Sequence, residues 1–315
     1  MKKFLFLSTV CLFLFGLFGS LQAADTQLVL STGGTAGTYY PFGGAMARIW
    51  NTKIAGMNVT AQTTGASAEN VRLINKKEAE LALVQSDTLD FAYNAKEAFK
   101  EKLTGMQAIA VLYPEVIQVV VRANSPFKTF ADLKGTKMGV GAPGSGTEAN
   151  FRQLLDAYGM KREDVKANFL SFSESAEQFK DKHIDAFIVT AGIPTAAIMD
   201  ISTQNEIRLL NIAPATLAKL TASYPFLSAA KVPANTYRGL TEEVTTVAVN
   251  AVLICASDLD EEVVYNLTKA LFENQAELSS AHAKGKELSL KTAAKGVSIP
   301  FHPGAQKYYK EKGAM

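Results

Sequence analysis

Short apolar runs alternate with helix-length amphipathic stretches along most of the chain. The run "QLVLS" precedes Phe42, Ala45, Met46, Ile49 and Trp50, whose spacing places them on one face of a helix. "MNVTAQT" then predicts a second strand, "SAENVRLINK" a second helix and "ELALVQS" a third strand. This βαβαβ order predicts parallel strands that are joined by helical crossovers.

The same pattern begins again in the middle of the chain. "IAVLYPEVIQVVVRA" predicts a pair of extended runs, "KMGVGA" predicts a strand, and Phe151, Leu154, Leu155 and Tyr158 predict the buried face of the next helix. "IDAFIVT" matches the earlier "AELALVQ" in its acidic start, apolar centre and polar end. The chain is therefore predicted to form two similar α/β lobes with parallel-rich sheets.

Two long extended segments, near 115–122 and 243–256, are suited to crossing from one lobe to the other and back. We interpret them as hinge strands. This interpretation assigns 24–120 plus 250–315 to lobe one and 121–249 to lobe two.

The N-terminus has the pattern of a secretory signal peptide. Two lysines precede an apolar core from Phe4 to Phe18, and small residues in "GSLQA" lead to a cleavage point predicted after Ala23. The apolar core is shorter than the ~20 residues that a membrane-spanning helix needs. Residues 1–23 are therefore predicted to be removed and the remainder exported to the periplasm.

Charge and cysteine usage narrow the function classes. Two of the 32 basic residues fall in the predicted signal, so the remainder balances the 30 acidic residues, and nothing indicates nucleic-acid binding. Cys11 also falls in the signal, which leaves Cys255 unable to form an intrachain disulfide. Its apolar surroundings in "VAVNAVLICAS" predict a small buried hydrophobic residue.

Loops rich in glycine, serine and threonine follow the predicted strands. They are "TGGTAGTYYP", "TTGASAEN", "QSD", "GAPGSGTE" and "TAGIPTA". In parallel α/β sheets, ligands bind beyond the carboxyl ends of the strands, where the next helix presents free N–H groups. Glycine allows close backbone approach, hydroxyls donate and accept hydrogen bonds, and a helix N-terminus favours an anion. The loops therefore predict a site for a small anionic group.

Other chemistry fits these loops poorly. A P-loop requires a lysine that neither glycine-rich loop supplies, and "GVGAPG" matches the dinucleotide pattern only with two glycines inside the strand and Pro143 in the turn. Neither Ser67 nor Ser145 has the flanking glycines of a nucleophile elbow. The three histidines lie far apart, without a metal-binding pattern. No catalytic residue, metal or cofactor is predicted.

Several segments together resemble one protein family. "TGGTAGTYYPFGGAMA", "GASAENVRLI", "ELALVQSD", "GAPGSGTE", "AGIPTAA" and "KVPANTY" are similar, in the same order, to segments of the TAXI-type solute receptors of TRAP transporters. One departure is Ile193, which stands where many relatives have a histidine.

The resemblance implies a type II periplasmic binding protein, a monomer whose two lobes close like a Venus flytrap. It implies a small carboxylate ligand, such as glutamate, glutamine or 2-oxoglutarate, that is delivered to membrane-embedded TRAP permease subunits. The alternative is an exported enzyme that uses the same cleft.

The candidate ligand-binding residues are glycines and polar residues at the strand ends. In lobe one they are Gly33, Gly34, Thr35, Tyr39, Ser67, Asn70, Gln85, Ser86 and Asp87. In lobe two they are Ser145, Gly146, Thr147, Thr190, Ala191 and Gly192. Arg72 and Arg152 lie inside predicted helices, so backbone N–H groups and hydroxyls are expected to bind the carboxylate.

Some of these residues have an alternative role. Ser67 either contacts the ligand or caps the helix of "GASAEN". Asp87 either caps its own helix or receives the ammonium group of an amino-acid ligand. Tyr39 is favoured over Tyr40 as a wall of the cleft, and Tyr237 is a further candidate for its lining.

Overall fold

The computed structural model describes residues 26–315, so the predicted signal peptide and Cys11 lie outside the described residues. The strands are β1 (Thr26–Ser31), β2 (Met57–Gln62), β3 (Leu81–Gln85), β4 (Met106–Arg122), β5 (Lys137–Gly139), β6 (Lys166–Asn168), β7 (Ala186–Ala191), β8 (Ile207–Leu209), β9 (Ser228–Val232) and β10 (Val244–Ala256). The helices are α1 (Tyr39–Lys53), α2 (Ser67–Asn75), α3 (Ser86–Tyr93), α4 (Gly146–Ala157), α5 (Phe172–Lys180), α6 (Ala196–Gln204), α7 (Pro214–Ser223), α8 (Glu261–Glu273), α9 (Gln275–Ala281), α10 (Leu290–Ala293) and α11 (Pro303–Glu311).

The strands form a continuous sheet in the order β2-β1-β3-β10-β4-β7-β5-β6, with β8 beside β4 and β9 beside β10. At one end, β1 pairs in parallel with β2 and β3; at the other end, β5 pairs in parallel with β6 and β7. Between these groups, β10 and β4 run antiparallel to each other and to their neighbours. The predicted α/β class with two lobes and parallel-rich sheets is confirmed.

The long strands β4 and β10 belong to both lobes. The first half of β10 pairs with β9 and the second half with β3, while the second half of β4 pairs with β7. The two separate runs expected within "IAVLYPEVIQVVVRA" are one strand, so that expectation was wrong. The pairing register shifts between Val111 and Tyr113, just before Pro114. A strand tolerates proline at such an irregularity, and this one continues through it.

Each lobe has apolar cores on both faces of its part of the sheet. In lobe one, α1 packs with α8 and α11 on one face, where the Trp50 Nε1 atom donates to the Leu267 carbonyl oxygen at 2.9 Å, and α2 and α3 cover the other face. In lobe two, Phe151 of α4 and Phe179 of α5 lie in the cores of opposite faces. Burying each such side chain contributes about 1.5–3 kcal/mol. Each lobe therefore has its own source of stability.

Cys255 is fully buried in β10, as predicted, and its burial raises the pKa of the thiol. Within residues 26–315, none of the helices has the combination of length and apolar character required to cross a membrane.

Candidate ligand-binding site

A cavity of about 80 Å³ lies between the two lobes, beyond the carboxyl ends of β1, β2, β3, β5, β6 and β7. One water-sized group needs about 10–15 Å³ of such space, so the cavity has room for several. Its lining combines loops of lobe one, such as Gly33 to Tyr39, with loops of lobe two, such as Ala142 to Thr147. A solute bound here would touch both lobes.

Helices of both lobes begin at this cavity. Tyr39 of α1, Ser67 of α2, Gly146 of α4 and Phe172 of α5 each stand at a helix start and line the cavity. The first turn of a helix has N–H groups without intrahelical partners, and its dipole favours a negative charge. No lysine or arginine of the described chain is among the lining residues. The attraction for an anion therefore comes from backbone groups and hydroxyls.

Gln85 and Thr190 face the cavity from opposite lobes. They are 2% and 3% exposed, and neither Gln85 Oε1 nor Thr190 Oγ1 has a hydrogen-bond partner within the described chain. A buried polar atom without a partner costs about 1–3 kcal/mol. A solute can pair with Thr190 Oγ1 as donor or acceptor, whereas Gln85 Oε1 needs a donor.

Gly146 brings the two lobes into close approach. A Cβ atom at this position would lie 2.0 Å from Gln85 Oε1, so any larger residue would collide with the buried amide. Ser145 Oγ accepts a hydrogen bond from the Glu148 N–H group at 3.1 Å and so fixes the start of α4 against the cavity.

Glu115 is the acidic side chain of the cavity wall. It is 2% exposed, and the Tyr39 hydroxyl donates to its Oε2 atom at 2.7 Å. Burial raises the pKa of the Glu115 carboxyl well above its usual value because the charged form loses its water, and the nearby Asp87 charge raises it further. The Tyr39 hydrogen bond opposes this shift.

Asp87 lies outside the cavity lining and joins the lobes. Its Oδ2 atom accepts from Asn150 Nδ2 at 2.9 Å and from Gln153 Nε2 at 3.0 Å, both on α4, while Oδ1 accepts from the Thr88 N–H group at 2.6 Å. Burial raises the pKa of the Asp87 carboxyl, and these hydrogen bonds oppose the rise. Asp87 is the second residue of α3 and Gln85 holds the N-cap position, so the capping alternative was wrong.

The structure places the predicted ligand-binding residues in two groups. Those that line the cavity are Gly33, Gly34, Tyr39, Ser67, Gln85, Ser145, Gly146, Thr147, Thr190 and Ala191. Those that do not line it are Thr35, Asn70, Ser86, Asp87 and Gly192. Contact between any of them and a ligand stays a prediction.

Asn70 supports the loops around the cavity. Its Nδ2 atom donates to the carbonyl oxygens of Thr32 and Leu83, each at 2.7 Å, and its Oδ1 atom accepts from the Thr64 hydroxyl at 2.6 Å. All of these partners belong to lobe one. The side chain therefore holds β1, β3 and the start of α2 together.

The remaining members of the second group also have other surroundings. Thr35 is exposed, and Ser86 Oγ accepts from the Asn250 N–H group at 3.4 Å. The Gly192 carbonyl oxygen accepts from the Thr38 hydroxyl at 3.2 Å, which is a further contact between the lobes.

Ser67 does not cap α2. Ala66 holds the N-cap position, with a φ angle of 73°, and makes no side-chain cap. Ser67 Oγ instead accepts from the Gln85 N–H group at 3.1 Å, so the capping alternative was wrong for this residue too. A positive φ is costly for alanine, and such strain is concentrated at binding and catalytic sites.

The tyrosines that were considered as lining of the cleft differ in their positions. Tyr39 lines the cavity, whereas Tyr40 beside it is 37% exposed. Tyr237 was expected in the cleft but lies in a lobe-two core, where its hydroxyl donates to Gln118 Oε1 and accepts from the Thr195 N–H group at 3.0 Å. That expectation was wrong because the tyrosine packs beneath β4.

Sequence reasoning missed part of the lining. The missed residues are Gly37, Thr38, Thr64, Gly65, Ala66, Glu115, Ala142, Ser171 and Phe172. Two of these residues stand in sequence patterns that could have identified them. Glu115 is an acid inside a long apolar run, and Ser171 with Glu174 forms a capping box that marks the start of α5.

Within residues 26–315, no group of three or more histidine, cysteine, aspartate or glutamate side chains is placed to hold a metal ion. His282 and His302 each accept a backbone N–H at a helix start, and His183 lies beside Gln178 at the surface.

Several solved structures have a similar fold. The alkanesulfonate-binding protein of Xanthomonas axonopodis pv. citri bound to MOPS is 16% identical, with a TM-score of 0.51 over 91% of this chain and 84% of that one. The substrate-binding protein of an amino acid ABC transporter is 13% identical, with a TM-score of 0.50 over 83% and 100% of the two chains. A protein described as a periplasmic transporter is 12% identical, with a TM-score of 0.58 over 94% and 95%. At these identities the likeness shows the fold, which is that of the two-lobed type II periplasmic binding proteins.

Sequence comparisons identify relatives and a family. A Brucella abortus (strain 2308) protein named "Putative binding protein" is 29% identical over 146 residues, which are 45% of this chain and 45% of that protein. The chain thus spans about half the length of the curated relatives it matches. The model of the NMT1-like family matches residues 30–313, and the chain therefore belongs to the NMT1-like family.

Proposed function

We propose that this protein is a periplasmic solute-binding protein that captures a small carboxylate between its lobes and delivers it to a TRAP permease. The observation that carries the proposal is the interlobe cavity, whose wall includes helix N-termini, glycines and hydroxyls and, among the described residues, no cationic side chain. Such a wall suits a small anion that must later be released.

The free energies of the hydrogen bonds available in the cavity are consistent with reversible binding of the solute. A hydrogen bond to a charged group contributes about 1.5–3 kcal/mol. Three or four such bonds, reduced by the cost of association, would support micromolar binding. Glutamate, glutamine and 2-oxoglutarate have the charge and the size class that we propose for this cavity.

The structural neighbours support an anionic or zwitterionic ligand. One is an alkanesulfonate-binding protein bound to MOPS, and another belongs to an amino acid transporter. A sulfonate and a carboxylate are both compact anions that backbone N–H groups can bind. The loop segments, which resemble those of the TAXI receptors in sequence and in order, favour the carboxylate.

Calorimetry with the purified protein lacking residues 1–23 tests the ligand class. We expect micromolar binding of at least one of glutamate, glutamine and 2-oxoglutarate, and no detectable binding of methanesulfonate. Binding of the sulfonate with none of the carboxylates would contradict the proposal. Chromatography of each solute after incubation tests the enzyme alternative, because a receptor returns its ligand unchanged.

Uptake measurements test the permease. We expect cells that export this protein to accumulate the labelled solute in response to an ion gradient, and to lose this uptake when the gradient is collapsed. Uptake that persists without the gradient and requires ATP would point to a permease of another class.

A further inference from the structure

The cavity wall carries two electrically different kinds of group. Helix starts, among them Gly146 of α4 and Phe172 of α5, supply a positive potential. Glu115 supplies a carboxyl group, and the charge of Asp87 acts on it from α3. A zwitterion, with an anionic and a cationic end, is complementary to such a cavity.

Glu115 has one oxygen that the protein does not satisfy. Its Oε2 atom accepts from the Tyr39 hydroxyl at 2.7 Å. Within residues 26–315, its Oε1 atom accepts no hydrogen bond from any side chain or backbone group. A buried carboxylate is costly unless it is paired and hydrogen-bonded. In the ionised form of Glu115, the missing partner of Oε1 is therefore a donor, preferably a cationic one.

Among residues 26–315, no lysine or arginine lines the cavity. The buried ammonium of Lys284 lies 2.6 Å from Glu287 Oε1, and Arg152 pairs with Glu148. Tyr39 and Tyr113 are the tyrosines electrostatically coupled to Glu115, and burial raises the pKa of both well above the usual range, so both stay neutral. A cation for Glu115 has to come with the ligand.

We propose that Glu115 receives the amino group of the ligand, so that the site selects α-amino acids over the corresponding keto acids. This inference rests on the proposed function and names the ligand class of the same site. It also replaces Asp87 as the residue that reads the amino group, because the Asp87 carboxylate is occupied by Asn150, Gln153 and Thr88.

Proton release follows from the burial of Glu115. In the ligand-free protein, the raised pKa keeps the carboxyl protonated at pH values where a glutamate in water is ionised. When the ligand's ammonium binds, Glu115 gives its proton to the solvent and becomes a carboxylate, while the ligand nitrogen keeps its protons. The affinity for an amino acid should therefore rise with pH until the pH reaches the raised pKa of Glu115, and then level off.

The test compares L-glutamate with 2-oxoglutarate, which differ at the α-carbon, in buffers of different ionisation enthalpy. For the wild type we expect tighter binding of L-glutamate, with release of up to one proton per ligand. Glu115→Gln should bind L-glutamate at least tenfold more weakly, without proton release, and should bind 2-oxoglutarate at least as tightly as the wild type. Glu277→Gln, at an exposed ion pair with Lys53, is the matched control and should behave as the wild type.

The outcomes separate this inference from the proposed function. Equal losses for both ligands in Glu115→Gln, or proton uptake by the wild type on binding L-glutamate, would overturn the role of Glu115 and leave carboxylate capture intact. If the wild type bound 2-oxoglutarate but no amino acid, the inference would also be wrong. If it bound neither class, the proposed function would fail with it. The proton measurement on the wild type decides the question even if the variant folds poorly.

Discussion

Hydrogen-bond partners separate the polar residues near the cavity into supporting groups and candidate ligand contacts. Asn70 uses its side-chain oxygen and nitrogen on groups of its own lobe, so it holds loops in place. Gln85 and Thr190 are equally buried but keep oxygen atoms without partners. Burying such atoms is costly, so a bound solute is the simplest way to recover that free energy.

Thr147 offers a test of hydroxyl recognition. It lines the cavity and is 3% exposed. Thr147→Val keeps the shape and removes the hydroxyl, so we expect at least a tenfold loss of affinity, or about 1.4 kcal/mol. Thr268→Val, at a buried hydroxyl of α8 that donates to the Val264 carbonyl oxygen, should leave the affinity unchanged. Calorimetry on both variants checks this, and wild-type affinity in Thr147→Val would place the hydroxyl outside the site.

Asp87 offers a test of how the lobes hold together. Asp87→Asn replaces a carboxylate that accepts hydrogen bonds from Asn150 and Gln153 with an amide whose own N–H groups face those donors. We expect affinity to fall about tenfold for glutamate and for 2-oxoglutarate alike, since a hydrogen bond to a charged group contributes about 1.5–3 kcal/mol.

Calorimetric titrations of Asp87→Asn with both solutes show whether Asp87 holds the lobes together or contacts the amino group of the ligand. A loss confined to glutamate would show that this carboxylate reads the amino group after all. Asp258→Asn, at an exposed pair with Lys77, is the control and should bind both solutes normally.

At the scale of secondary-structure elements, helices from both lobes have their N-termini at the cavity. α1 and α2 begin on one side of the cavity, and α4 and α5 begin on the other. No single helix start makes a strong anion site, because its effect is confined to the first turn. Several that face one small volume add their potentials there.

The start of α4 lies so close to the other lobe that adding one methyl group at Gly146 tests whether this approach is needed for ligand binding. Gly146→Ala would put a Cβ atom 2.0 Å from Gln85 Oε1, so we expect closure to be hindered and ligand affinity to fall at least tenfold. Because the collision is between lobes, the melting temperature of the ligand-free protein should change little.

Gly44→Ala is the matched control for that substitution. Gly44 is an exposed glycine of α1, and a Cβ atom there would have no neighbour within 4 Å. Alanine in an exposed helix position stabilises by about 0.5–1 kcal/mol, so this variant should melt slightly higher and bind normally. Normal binding by Gly146→Ala would mean that Gln85 moves aside without cost.

For the whole molecule, the contacts between the lobes describe a closed arrangement. The Thr38 hydroxyl bonds to Gly192 on one side of the cavity, and the Ala68 N–H group donates to the Gly144 carbonyl oxygen at 3.2 Å on another. Only β4 and β10 belong to both lobes as continuous strands within the described chain. Hinge motion about two connections is a common route to closure around ligands.

Small-angle scattering tests that closure directly. We expect the radius of gyration to decrease when a saturating ligand is added to the ligand-free protein. Gly146→Ala should compact less at the same degree of saturation, since its collision with Gln85 opposes the closed form. A wild-type radius that does not change with ligand would argue against a mechanism that depends on lobe closure.

The sequence by itself determined the architecture, because the patterns involved are local. Apolar periodicity identified β1, α1, β2, α2 and β3, and the two long extended segments identified the strands that join the lobes. Glycine and hydroxyl residues marked the strand ends because backbone approach and helix starts require particular residue types at particular places. Most of the residues expected at the site therefore do line the cavity.

Only the tertiary structure decided which polar groups face the cavity. Asp87 follows the apolar strand β3 and Glu115 lies within the apolar strand β4, but the packing of α4 against α3 occupies Asp87 and leaves Glu115 at the cavity. Tyr237 resembled a cleft residue in its loop and was buried beneath β4. These assignments depend on contacts between residues far apart in the chain, and the spacing of residues along the chain does not contain that information.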